Sequence, residues 1–265
     1  MNHNETLLYS KNDDVVTITL NRPNEANCLN IVLCEELARA ARNIDADPSI
    51  RAVIITGSGR FFCAGGDVNA MFALGENLAR DIKHLADEFH RALSTFARMK
   101  AMVIVAVNGT AAGAGFSLAV AGDFVLASES SSFTMAYSKI GLSPDGSSSY
   151  YLPRLVGIRR AQDLMYTNRV LTSKEALDWS LINRVVPDER LLIEAESLAK
   201  MFSNGASGSN GAIKKLMTHT FSNSLETQME LEGRLIAECA ASDDGAEGIA
   251  AFNEKRRPNF KRTSI

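Results

Sequence analysis

Short apolar runs alternate, along the first half of the chain, with longer stretches whose apolar residues return every three or four positions. Residues 15–20 (Val-Val-Thr-Ile-Thr-Leu) read as a strand ended by Asn21-Arg22-Pro23. Asn30 then caps a predicted helix whose Leu33, Leu37, Ala40, Ala41 and Ile44 share one face, and Asp47-Pro48 stops it. Residues 52–56 are apolar or β-branched throughout, as a strand buried on both faces by helices requires. Residues 81–99 predict an amphipathic helix with Ile82, Leu85, Phe89, Leu93 and Phe96 on one stripe, and 102–107 and 124–127 are further buried strands.

The second half reads as mostly helical. Thr172-Ser173-Lys174-Glu175 is a capping box opening a short helix to Trp179, and residues 191–202 are amphipathic. Residues 203–211, rich in Ser, Gly and Asn, predict a flexible joint before two more helices. The expected architecture is an α/β core over 1–195 with a helical region over 196–265, too small to hold a core alone and packed on the core or on another copy.

Composition narrows the class. With 265 residues, 46% hydrophobic and 22% charged, one large unit with an appendage is the simplest count. No apolar stretch is long enough to span a bilayer and Met1-Asn2-His3-Asn4-Glu5 is unlike a signal peptide, so a cytoplasmic protein with no membrane partner is expected. Cys28, Cys34, Cys63 and Cys239 have no CxxC spacing, and His3, His84, His90 and His219 no metal-ligand spacing, which points to reduced thiols and no metal. A net charge of −3 argues against a nucleic-acid partner. The basic tail, Lys255-Arg256-Arg257 and Lys261-Arg262, reads either as a solvated end or as a phosphate contact. Gly57-Ser58-Gly59 is followed by Arg60-Phe61-Phe62 rather than a third glycine opening a helix, which argues against a dinucleotide fingerprint.

Two glycine-rich turns carry the candidate chemistry. Phe62-Cys63-Ala64-Gly65-Gly66-Asp67 and Asn108-Gly109-Thr110-Ala111-Ala112-Gly113-Ala114-Gly115 each follow an apolar run and free backbone N–H groups at a strand end. Either turn alone reads as a tight connection; the pair suits an oxyanion hole for a thioester, where each donor contributes roughly 3 kcal/mol to lowering the barrier.

These turns, with Arg22-Pro23, Asn27-Cys28-Leu29, Ile140-Gly141-Leu142-Ser143-Pro144-Asp145, Leu152-Pro153-Arg154-Leu155-Val156-Gly157 and Phe252-Asn253-Glu254-Lys255-Arg256, resemble in order and spacing the crotonase, or enoyl-CoA hydratase/isomerase, superfamily. The resemblance covers nearly the whole chain. It implies a spiral of ββα repeats, a C-terminal helical region that makes homotrimers or hexamers, and an acyl-CoA thioester substrate, with no cofactor beyond the CoA of the substrate. It also implies that the N–H groups of Gly66 and Ala114 form the oxyanion hole, Ala114 replacing the more usual glycine and requiring only a negative φ. By the same resemblance Asn24, Ala26, Cys28, Ala64, Asp67 and Val68 line the CoA, and Phe252 and Lys255 reach toward a neighbouring subunit's nucleotide.

The acids choose among reactions. Family hydratases use two glutamates, and the matching positions here are Ser117 and Tyr137. Asp145 falls where isomerases such as 1,2-epoxyphenylacetyl-CoA isomerase, and 4-chlorobenzoyl-CoA dehalogenase, keep their working aspartate, although locally it reads as a turn or cap residue. The favoured expectation is a double-bond isomerase with Asp145 as proton shuttle. Alternatives are a hydratase with altered acids, a silent acyl-CoA-binding subunit, and dehalogenase-like chemistry with Asp145 as nucleophile and His90 as base. The last rests on Ser149-Tyr150, Arg159-Arg160-Ala161, Thr167-Asn168-Arg169 and Asp178-Trp179 as well. His90, at the edge of its helix's apolar stripe, reads more readily as a packed, hydrogen-bonded structural histidine, and Tyr137 as acyl-pocket packing or as a donor to Asp145 or substrate. Arg154 and Arg159-Arg160 read as surface ion-pair formers before phosphate contacts.

Overall fold

The computed structural model describes residues 6–261, so the expectations for residues 1–5, His3 among them, and for Arg262 lie outside the described residues. The strands in chain order are β1 (Leu7–Asn12), β2 (Val15–Leu20), β3 (Ala52–Gly57), β4 (Phe61–Cys63), β5 (Met102–Val107), β6 (Thr110–Ala112), β7 (Phe124–Ser128), β8 (Ser132–Thr134), β9 (Leu171–Thr172) and β10 (Arg184–Val186). The helices are α1 (Ile31–Ala46), α2 (Val68–Ala73), α3 (Leu78–Arg98), α4 (Ala114–Val120), α5 (Ser148–Val156), α6 (Ile158–Thr167), α7 (Ser173–Asp178), α8 (Leu191–Ser203), α9 (Ser207–His219), α10 (Leu225–Ala240) and α11 (Asp243–Asn253).

A six-stranded sheet runs β1-β2-β3-β5-β7-β10, parallel except for β1, and a four-stranded sheet runs β4-β6-β8-β9. Each of β3, β5 and β7 is followed at once by a short strand of the smaller sheet, and β4 and β6 are followed by helices, which is the ββα winding of the crotonase spiral. The uniformly apolar strands are explained by cover on both faces. Val53, Ile55, Val103 and Val105 pack in the main core with Leu33 and Leu37 of α1 and Phe89 of α3, while Ile54, Ile104 and Ala106 meet Leu191, Ala195, Leu198 and Ala199 of α8.

Asn30 caps α1 through its side chain, which accepts the Leu33 N–H, and Thr172 with Glu175 forms the capping box of α7. α3 starts at Leu78 rather than near 81; along its apolar stripe Phe89, Leu93 and Phe96 are buried, while Ile82 and Leu85 line a cavity. β1 is unpredicted because Leu7 alone of its six residues is buried, at a sheet edge.

The joint predicted over 203–211 is also corrected. Only Asn204, Gly205 and Ala206 separate α8 from α9, and Ser207 to Gly211 form the start of α9. Buried Lys214 overrides the local composition: its Nζ donates to Asp123 Oδ2 at 2.7 Å and to the carbonyls of Phe96 at 2.9 Å and Ala101 at 3.0 Å, which employs all three of its donors. Arg51 takes the carbonyls of Ser203 and Gly205, pinning the remaining link. α8 runs unbroken across residues 195 and 196, with buried side chains on both sides of that position. In the tail, Arg256 pairs with Glu247 and Glu254, and Lys261 with Asp14.

Candidate active site

The two glycine-rich turns meet because the strands before them pair. β4 lies parallel to β6, with Phe61 opposite Thr110 and Cys63 opposite Ala111, so the residues that follow leave the small sheet side by side. Gly65, at φ +106°, passes so near the second turn that a Cβ would stand 3.1 Å from the Ala112 carbonyl oxygen. Gly66 and Ala114 then line one cavity of about 460 Å³. Neither backbone N–H has an acceptor among the described residues: Gly66 lies outside the strands, and Ala114 opens α4, where first-turn N–H groups have no intrahelical partner. Ala114 is helical, with no positive φ, so its methyl group costs the turn nothing.

Asp145 borders the same cavity and is the only carboxylate among its lining residues. The turn that holds it is packed from two sides: Gly146, at φ +60°, leaves no room for a Cβ, which would sit 2.5 Å from the Phe89 ring and 2.8 Å from Ser117 Cβ. The Asp145 carbonyl accepts the hydroxyls of Ser117 at 2.8 Å and Ser148 at 2.9 Å. Its carboxylate is thereby free of backbone duty. α5 has Ser147 at its cap position and no side-chain cap, so Asp145 is no cap residue.

Oδ1 of Asp145 accepts the Tyr137 hydroxyl at 2.6 Å, and that hydroxyl lies 3.0 Å from Ser117 Oγ. Burial, then the Asp145 charge and the hydrogen bond to it, push the Tyr137 phenol well above its usual range, so it stays a donor. On the other side, His90 Nε2 stands 3.5 Å from Asp145 Oδ2 and accepts the Gly146 N–H at 3.1 Å. The ring is 48% exposed rather than packed. Its hydrogen bond is as expected, but its place is the rim between Asp145 and solvent.

Ala64 and Val68 line the cavity, while Asn24, Ala26, Cys28 and Asp67 are not among its lining residues. Asp67 is structurally committed: Oδ1 accepts the Ala70 N–H to cap α2 and Oδ2 pairs with Arg22 at 2.8 Å. Burial opposes its charge, but the Ala70 N–H and the Arg22 guanidinium prevail and hold the carboxyl below its ordinary value. Arg22 also donates to the Cys28 carbonyl, and Ala26 accepts the Ala64 N–H, so the Asn24-to-Cys28 loop supports the first glycine-rich turn. Phe252 and Lys255, at the end of α11, are exposed and outside the cavity, Phe252 by 88%.

Arg154 stacks on Tyr150 at 3.7 Å, and Arg160 on Trp179 at 4.8 Å, so these cations sit over aromatic rings. The sequence did not mark Met71, Ile82, Leu85, Ile140 and Leu142 as cavity-lining residues, although all five are apolar side chains that border the cavity. Among the described residues no cluster of three or more His, Cys, Asp or Glu could hold a metal ion, and no helix is long and apolar enough to cross a membrane.

The family profile described as enoyl-CoA hydratase/isomerase matches residues 10–263. The chain is 37% identical over 257 residues to 1,2-epoxyphenylacetyl-CoA isomerase of Escherichia coli (strain K12), covering 97% of this chain and 98% of that protein. It is 32% identical to crotonyl-CoA hydratase of Syntrophomonas wolfei, covering 97% and 98%. The crystal structure of enoyl-CoA hydratase from Bacillus anthracis superposes with a TM-score of 0.91 at 30% identity, covering 97% of this chain and 99% of that one. With this match along its length and the shared fold, the chain is an enzyme of the enoyl-CoA hydratase/isomerase (crotonase) family.

Proposed function

We propose that the protein moves the double bond of an enoyl-CoA, with Asp145 as the proton shuttle. The observation that carries this reading is a single carboxylate facing the cavity onto which the two unpaired N–H groups of Gly66 and Ala114 open. A thioester carbonyl held by those donors acidifies its α-carbon. Asp145 takes the α-proton as the C–H electron pair becomes the enolate, whose negative oxygen rests on the two N–H groups. Asp145 then returns the proton to the γ-carbon, and the product is the conjugated 2-enoyl thioester. A positioned base supplies on the order of 10²–10⁴ in rate, and the oxyanion donors and fixed geometry supply the rest.

Hydration is disfavoured because Ser117 and Tyr137, at the positions of the hydratase glutamates, spend their hydroxyls on each other and on Asp145. The isomerase relative supports the choice of reaction, and the apolar Met71, Ile82, Leu85 and Leu142 suit an apolar acyl group. A second reading, Asp145 as nucleophile on an aromatic acyl group, is favoured only by the proximity of His90. We read residues 196–265 as the assembling region of a cytoplasmic homotrimer or hexamer, in which exposed Phe252 and Lys255 approach a neighbour's CoA.

The test mixes the protein and its Asp145→Asn variant with a 3-enoyl-CoA, a 2-enoyl-CoA and 4-chlorobenzoyl-CoA in ¹⁸O-labelled water and follows the products by mass spectrometry. Conversion of the 3-enoyl thioester without mass gain, lost in the variant, is expected. Label entering the 2-enoyl thioester would replace this reading with hydration, and chloride release would replace it with dehalogenation.

A further inference from the structure

We propose that His90 connects the proton held on Asp145 to solvent through a second cavity, so that the proton returned to the substrate is exchanged during the reaction; this rests on the shuttle reading above. Asp145 and His90 touch, yet each faces a different space. Asp145 lines the cavity with Gly66 and Ala114, whereas His90 lines a separate one of about 380 Å³ with Ser94, Arg98, Ser147, Tyr150 and Tyr151. None of these last six lines the first cavity. The imidazole therefore stands in the wall between them.

One hydrogen bond sets the resting tautomer of His90. Nε2 accepts the Gly146 N–H, so that nitrogen carries the lone pair and Nδ1 carries the proton. Nδ1 has no partner among the described residues, and the ring is half exposed. The relay follows from this polarity. Between abstraction and return Asp145 is a neutral carboxylic acid; its Oδ2–H passes to Nε2, which releases the Gly146 N–H to receive it, as the Nδ1–H leaves to water in the second cavity, restoring a carboxylate, leaving the imidazole neutral with its proton on Nε2 and placing one proton in solvent. The reverse sequence brings a solvent proton back to Asp145. The Nε2 to Oδ2 separation of 3.5 Å is roughly half an ångström beyond an ordinary hydrogen bond, and such contacts tighten when substrate is bound.

Without a relay, a one-base shuttle covered by the bound substrate delivers to the γ-carbon the same hydrogen it took from the α-carbon. With it, part of that hydrogen comes from water. The experiment isomerises a 3-enoyl-CoA in D₂O and reads deuterium in the product per turnover at low conversion. Wild type is expected to incorporate deuterium. His90→Gln keeps an oxygen that can accept the Gly146 N–H but cannot pass a proton on, and its incorporation per turnover should drop by roughly an order of magnitude. Ser94→Phe, one helical turn from His90 and exposed, covers the cavity side of the ring and should lower incorporation without touching Asp145. Unlabelled product from the wild type, or equal labelling in all three proteins, would overturn the relay alone. Failure of the wild type to isomerise at all would sink the shuttle reading and the relay with it.

Discussion

The hydroxyl of Tyr137 donates to Oδ1 of Asp145 across 2.6 Å while lying 3.0 Å from the hydroxyl of Ser117. Ser117 and Tyr137 thus form a hydroxyl pair that steadies one aspartate. Oδ1 is restrained, leaving Oδ2 as the oxygen that meets His90.

Removing that restraint tests its value. Hydrogen bonds to charged groups contribute about 1.5–3 kcal/mol, so Tyr137→Phe should lower kcat by roughly ten- to a hundred-fold with little change in KM. Steady-state kinetics on a 3-enoyl-CoA would measure it. An unchanged kcat would mean that Tyr137 serves only as packing.

Ala114 offers a way to delete one oxyanion donor without disturbing the fold. It is the first residue of α4, where proline is tolerated because the lost N–H has no helical partner. Ala114→Pro should therefore keep near-native thermal unfolding while kcat falls by about 10²–10³. Retained activity with a native melting profile would remove the Ala114 N–H from the mechanism.

The sequence made the scaffold of this site visible but not its wiring. Gly66 and Ala114 were legible through the pair of glycine-rich turns and the family resemblance, since either turn alone reads as a tight connection, and the pairing of β4 with β6 brings the two turns together. Asp145 was legible only through the family resemblance, since Pro-Asp-Gly is locally just a turn. The Ser117–Tyr137 contact was illegible: it joins side chains on α4 and on a short turn after β8, and no local periodicity encodes which hydroxyl meets which. The glycine- and serine-rich start of α9 misled for the converse reason, because a buried ion pair several residues away outweighs local propensity.

Two buried thiols make stability sensitive to alkaline pH. Burial pushes Cys63 up to about 12 and Cys34 above even that range, whereas an unfolded thiol titrates near about 8.5. The native state thus retains protons that the unfolded state loses. The stabilisation is complete below about pH 8 and declines as pH rises toward 12, by about 1.4 kcal/mol per pH unit for each thiol. Denaturant midpoints across that interval should fall in the wild type and fall less steeply in Cys34→Ala, a comparison in which parallel slopes would refute the assignment for Cys34.

Lys214 and Asp123 hold α9 to the core, and their pairing is conditional. Burial pushes the Lys214 ammonium down and the Asp123 carboxyl up, and in each case the partner's charge opposes the shift. Asp123 Oδ2 accepts the Val103 N–H as well as Lys214 Nζ, so the carboxylate is tied to β5 and the ammonium to the end of α3. Lys214→Met leaves that carboxylate buried without a counter-charge and should cost about 3–5 kcal/mol in urea unfolding. Adding Asp123→Asn removes the uncompensated charge and should recover part of the loss, because a missing pair is cheaper than half a pair. The single variant should also be cut by protease within 203–211, where serine and glycine offer little helical propensity once the lysine anchor is gone. If the single and double variants were equally destabilised, the anchor would reside in the packing of α9 and not in its charge.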